Sequence, residues 1–112
     1  MRLVVSPIEG KSGTVVAIGG EVGYSEIQEL KRRFDDVLGT DSGAVLVDLA
    51  KVNFIASDGL GVFIRARAKA EEDGKAFVLV RPQPRIYELL KKTQLTRIFT
   101  VSPTMDEALA EM

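Results

Sequence analysis

Two hydrophobic periods divide the chain. Leu3 to Ile8 and Thr14 to Ile18 are short runs rich in β-branched residues. Glu9-Gly10-Lys11-Ser12-Gly13 between them is turn chemistry, so the pattern predicts a hairpin. Gly19-Gly20 is read as the end of its second strand. From Ser25 the period changes. Ile27, Leu30, Phe34, Val37 and Leu38 fall on one face of a helix, and Glu29, Lys31, Arg32, Arg33, Asp35 and Asp36 fall largely on the other. Ser25 with Gln28 three residues later has the spacing of a capping box, and Gly39 suits the C-terminal end.

Ala44 to Leu49 is an apolar run of the length and composition of a buried strand. A short connection follows, and Ser57-Asp58-Gly59-Leu60-Gly61 opens a second helical pattern that Asp73-Gly74 ends. Leu60, Phe63, Ile64 and Ala68 are expected near its buried face, while Gly59, Gly61, Ala66 and Ala70 keep its bulk small. Arg65, Arg67 and Lys69 read as a solvated face. Ala76 to Val80 is a third strand, and the order strand, helix, strand implies a right-handed parallel crossover. Arg81-Pro82-Gln83-Pro84 is a rigid turn into a short helix with Ile86, Leu89, Leu90 and Thr93 on its apolar face. Ile98 to Val101 reads as an edge strand. Ser102-Pro103, or Thr104 with Glu107 as its box partner, starts a last helix with Met105, Ala108, Leu109 and Met112 inward. The expected class is α/β: one domain over residues 1–112, with a small mixed sheet of about four strands plus a short edge strand, packed with about four helices.

Composition narrows the chemistry. Fifteen Lys and Arg against sixteen Asp and Glu give a net charge of −1, which supplies no basic field for nucleic acid or an anionic membrane. The chain has no cysteine and no histidine, so disulfides, thiolate nucleophiles, imidazole bases and the usual zinc ligands are excluded. No stretch approaches the roughly 20 apolar residues of a membrane span, and residues 1–7 do not form a signal peptide, which makes the cytoplasm the expected location. Neither G-x-x-x-x-G-K-[ST] nor G-x-G-x-x-G occurs, so Gly19-Gly20 and Gly59-Leu60-Gly61 are not phosphate cradles. No cofactor or metal is implied.

The remaining chemistry is that of a serine hydroxyl at a helix N-terminus. Ser57 is well suited to be an N-cap, and Asp58 puts negative charge near the positive end of the helix dipole. A phosphate on Ser57 would meet free backbone N–H groups there. Asp48 at a strand end raises a rival, a receiver-type phospho-acceptor. That chemistry also needs an acidic pair after the first strand and a lysine at the end of a late one, and neither is present. Asp48 is instead expected to bond the local backbone.

Asp48-Leu49, Phe54-Ile55 and Ser57-Asp58-Gly59-Leu60-Gly61 together resemble the signature of STAS domains, and most closely the small bacterial anti-sigma factor antagonists. Gly20-Glu21-Val22, Lys92 to Phe99 and Ser102 to Met112 extend the resemblance over nearly the whole chain. It implies a non-enzymatic regulator that binds an anti-sigma factor serine kinase, is phosphorylated at Ser57, and is reset by a phosphoserine phosphatase. The implied partner surface comprises Glu21, Gly23, Tyr24, Ser25, Phe54, Ile55, Ala56, Asp58, Gly59, Leu60 and Gly61, on a monomer or weak dimer. Three positions depart from the family pattern. Ala56 replaces the usual acid before the serine, Asp58 replaces the second Ser/Thr, and Gly23 stands where Asp is frequent. Two alternatives remain: a non-phosphorylated STAS scaffold or interaction subunit of a larger regulatory or transport-associated complex, and a small enzyme using Asp48, Asp58 and Glu21.

Overall fold

The computed structural model describes residues 1–40 and 43–111. Five strands form one mixed sheet in the order β1 (Arg2–Pro7), β2 (Gly13–Val22), β3 (Ala44–Ile55), β4 (Phe77–Val80) and β5 (Thr100–Ser102). The β1–β2 hairpin is antiparallel, and every later pairing is parallel. Each parallel step is bridged by a helix: α1 (Ile27–Leu38), α2 (Ser57–Glu72) and α3 (Pro84–Lys92). A six-residue helix, α4 (Met105–Ala110), follows β5.

The strands alternate their side chains between two apolar layers. Val16, Ile18, Val45, Val47, Leu49 and Leu79 pack under α1, α2 and α3. Leu46, Val78 and Val80, with Ile8, pack under Ala108 of α4. All five residues expected on the inner face of α1 are buried. Phe34 meets Phe63 of α2 edge-on, with ring centroids 5.7 Å apart, and lies 5.9 Å from Phe77. On α2, Leu60 and Phe63 are buried as expected, but Val62, Ala66 and Ala70 complete that face, Ile64 is half-buried and Ala68 is exposed. Thr104 caps α4, its Oγ1 accepting from the Glu107 N–H at 3.1 Å. Met112 lies outside the described residues.

Two strands run longer than their apolar runs. β2 passes through Gly19-Gly20 instead of stopping there, because Gly20 takes φ +84° and the register slips at Ala17/Gly19 and at Gly20/Glu21. Such bulges bend a strand without ending it. β3 continues through the segment expected to be a loop. In its extension Val52 and Ile55 are buried, while Lys51, Asn53 and Phe54 face out, the alternation breaking at Asn53, where the register with β2 slips. The extended β2 pairs with it up to Val22↔Ile55. At the other end of the chain, β5 covers Thr100–Ser102 where a strand from Ile98 was expected, since a 3₁₀ turn over Leu95–Arg97 takes up the approach.

Candidate functional site

The extensions of β2 and β3 deliver the two halves of the site to one end of the sheet. Glu21 pairs with Phe54, and the Ala56 N–H donates to the Val22 carbonyl at 2.8 Å. The chain then turns directly into α2. That close entry needs Gly59: a Cβ there would stand 3.0 Å from Ile55 Cγ2 and 3.1 Å from Val22 Cγ1. A Cβ at 59 would fit only if those two side chains gave way by a few tenths of an ångström.

Ser57 is not the cap of this helix, contrary to the sequence expectation. Ala56 occupies the N-cap in extended geometry, with φ −69° and ψ 157°, and its carbonyl accepts from the Gly59 and Leu60 N–H groups at 2.8 and 3.2 Å. Ser57 is therefore the first helical residue. It is exposed, and its hydroxyl has no hydrogen-bond partner among the described residues. Asp58 beside it is exposed in the first turn, and a Cβ on Gly61 one turn on would meet nothing within 4 Å.

The opposite half is the corner between β2 and α1. The Ser25–Gln28 box does not form. A 3₁₀ turn over Tyr24–Glu26 intervenes, and Glu26 closes the box instead, its Oε1 accepting from the Gly23 N–H at 2.8 Å. The Ser25 hydroxyl donates to the other carboxylate oxygen of Glu26. These bonds, the Ser25 one first, hold the Glu26 pKa below the ordinary glutamate value of 4.5. A lowered acid contributes its stabilisation above its unfolded pKa and loses it as pH falls through the folded one. The Gly23 amide resonance should therefore titrate with a midpoint below 4.5 in an acid titration followed by ¹⁵N NMR. A midpoint at or above that value would mean the corner is not held by Glu26.

Of the residues assigned to a partner surface, Glu21, Tyr24, Ser25, Phe54 and Asp58 are exposed, and Gly23 and Gly61 are half-buried. Tyr24 and Phe54 stand out, at 68% and 49% exposure for large apolar side chains. Ile55, Ala56, Gly59 and Leu60 are buried, so they shape the surface and do not present side chains to it. The structure adds residues that the sequence did not assign to this surface. Arg85, Leu89 and Lys92 of α3, with Phe54 and Ile86, border a hollow of about 490 Å³ beside the β3 extension. Their helical spacing showed an apolar face for α3, but not that its rim would meet Phe54.

Asp48 lies away from Ser57. Its carboxylate accepts from the Ala50 N–H at 3.1 Å, the local backbone bond expected, although β3 runs on to Ile55 and Asp48 lies within the strand and not at its end; it also accepts from Arg81 Nε and Nη2 at 3.2 and 2.5 Å. Arg81 reaches it from a left-handed backbone, φ +56°, at the end of β4. The bidentate guanidinium occupies both oxygens of this carboxylate in a structural ion pair. Among the described residues, no three Asp or Glu side chains gather as a metal-binding group, and no helix is long and apolar enough to cross a membrane.

Comparison with known proteins agrees with this geometry. Residues 6–108 match the STAS domain family. A Thermotoga neapolitana protein named as a candidate anti-sigma factor antagonist is 34% identical over 79 residues, 70% of each chain. The crystal structure of a candidate anti-sigma factor antagonist from Thermotoga maritima superimposes with a TM-score of 0.89 at 24% identity, over 97% of this chain and 92% of that one. The anti-sigma factor antagonist SpoIIAA, unphosphorylated, gives a TM-score of 0.82 at 14% identity, over 98% and 95%. The two structural likenesses establish the fold; the family match and the sequence relative establish membership. This chain belongs to the STAS domain family.

Proposed function

We propose that this STAS domain is an anti-sigma factor antagonist: it binds a serine kinase that otherwise holds a sigma factor, and phosphorylation of Ser57 ends the interaction. The observation that carries this is the uncommitted Ser57 hydroxyl, exposed at the first position of α2 with Ala56 doing the capping. A serine whose oxygen is spent on a cap must break that bond to be phosphorylated; this one does not. Tyr24, just past the end of β2, and Phe54, near the end of the neighbouring β3, are exposed and would supply apolar anchors to a partner. Ser57 acts as a substrate and not as a nucleophile, since the chain has no histidine to serve as its base. The Ala56 and Gly23 departures remove two acids from around the acceptor, and Asp58 returns one.

The test is peptide mass spectrometry on the protein isolated from its host under stressed and unstressed growth. A phosphate on Ser57 whose occupancy changes with condition is expected. Ser57 unmodified under every condition would overturn the switch and leave a constitutive binding module.

A further inference from the structure

We propose that the free edge of β1 is a docking edge for a second copy of this chain, the two β1 strands pairing antiparallel about Val5 to join two five-stranded sheets into one. β1 and β5 are the two ends of the sheet. β5 has three residues and runs into Pro103, whereas β1 has six. The Ile8 N–H donates to the Gly13 carbonyl at 3.0 Å, which fixes the phase of the hairpin. In an antiparallel pair the bonded positions alternate, so Arg2, Val4 and Ser6 point their backbone groups at β2. Leu3, Val5 and Pro7 then point theirs outward.

Those outward groups are complementary to themselves. With Val5 on a two-fold axis, its N–H and carbonyl bond the same groups of Val5 in the second copy. The Leu3 N–H then faces the Pro7 carbonyl of the second copy. The reciprocal bond from Pro7 cannot form, because proline has no N–H. It is also not needed: the Leu3 carbonyl already accepts from Arg33 Nη2 of α1 at 3.4 Å. One missing donor meets one occupied acceptor, and no other pairing phase aligns them. The side chains agree. Val4 and Val5 are 54% and 39% exposed, among the few large apolar side chains left open to solvent. Arg2 is the one charge in the strand and falls beside Ile8 of the second copy, so no like charges are opposed. Edge strands that avoid pairing carry charges, prolines or bulges; β1 has one charge at its start, Arg2, and one proline at its end, Pro7, and leaves Leu3 to Ser6 free of all three. The two-fold sends the Ser57 ends of the two copies in opposite directions, leaving both accessible.

Sedimentation equilibrium at about 10 μM to about 1 mM protein tests this, the range in which so small an interface associates. Wild type should show a reversible monomer–dimer equilibrium. Val5→Pro removes the central donor at an outward position where an edge strand tolerates proline, and should raise the dimer Kd about tenfold or more. Val5→Lys and Val5→Glu should each be monomeric, and an equimolar mixture should form the heterodimer. This pair decides the matter even if Val5→Pro fails to fold. A wild type that stays monomeric throughout, or a Lys/Glu mixture that does not associate, would overturn the proposal.

Discussion

Phe63→Ala is expected to lower the unfolding free energy by about 3–5 kcal/mol, the cost of deleting a buried phenylalanine ring and leaving its cavity. The ring is fully buried and stands edge-on to Phe34 at the crossing of α1 and α2. Phe34 in turn touches Phe77 of β4, so the cavity would open where two helices and the sheet meet. A cavity bounded by three elements collapses poorly, which puts the cost toward the upper end of that range. Domains of this size have only about 5–15 kcal/mol of stability in total. Calorimetry should show the midpoint falling by ~15 °C or more. Leu60→Ala, one turn earlier and at the rim of the core, should cost less, since its site opens toward solvent at the helix N-terminus and can relax. Equal losses at the two positions would mean that the Phe34–Phe63 crossing is not the centre of the packing.

Where hydrophobic period and turn chemistry acted alone, the sequence was a good guide. The five apolar positions of α1 are all buried, and the hairpin turn and the Asp73-Gly74 stop of α2 fall where the pattern put them. It failed where a tertiary partner overrode a local signal. Gly19-Gly20 has the composition of a terminator, yet β3 on one side and β1 on the other carry β2 straight through. Ala50 to Asn53 looks polar enough for a loop. Its alternation of buried Val52 with exposed neighbours is that of a half-buried strand, visible only once β2 is known to extend beside it.

The site was legible in its location and not in its detail. The motif brought Glu21–Ser25 and Phe54–Gly61 into one neighbourhood, and the structure places them together at one end of the sheet. The capping roles moved by one residue at α2 and by two before α1. Side-chain preference favours serine over alanine at an N-cap, but the sheet bond from Ala56 to Val22 sets where the helix begins, and no local signal shows that bond. The Asp48–Arg81 pair lay beyond reach, because a left-handed arginine before a proline has no local signature.

Replacing Ser57 with aspartate should weaken binding to the anti-sigma factor proposed as its partner by tenfold or more, about 1.4 kcal/mol, with the melting temperature unchanged or slightly raised. The two effects separate because of the residue's position. At the first turn of α2 an added carboxylate meets the positive end of the helix dipole, worth about 0.3–1 kcal/mol, offset in part by Asp58 next to it. No hydrogen bond to the described residues is lost, since the serine hydroxyl makes none with them. In the proposed complex the same carboxylate would be buried against the partner, where an unpaired charge is costly. Phosphoserine, with about −1.5 to −2 charges, would be costlier still. Ser57→Ala separates charge from contact. It should bind within a few-fold of wild type by isothermal titration, because it leaves the surface neutral and nearly unchanged in shape. If Ser57→Asp binds as tightly as wild type, charge at this position does not control the interaction. If Ser57→Ala fails as badly as Ser57→Asp, the hydroxyl is a contact in the complex and not a switch.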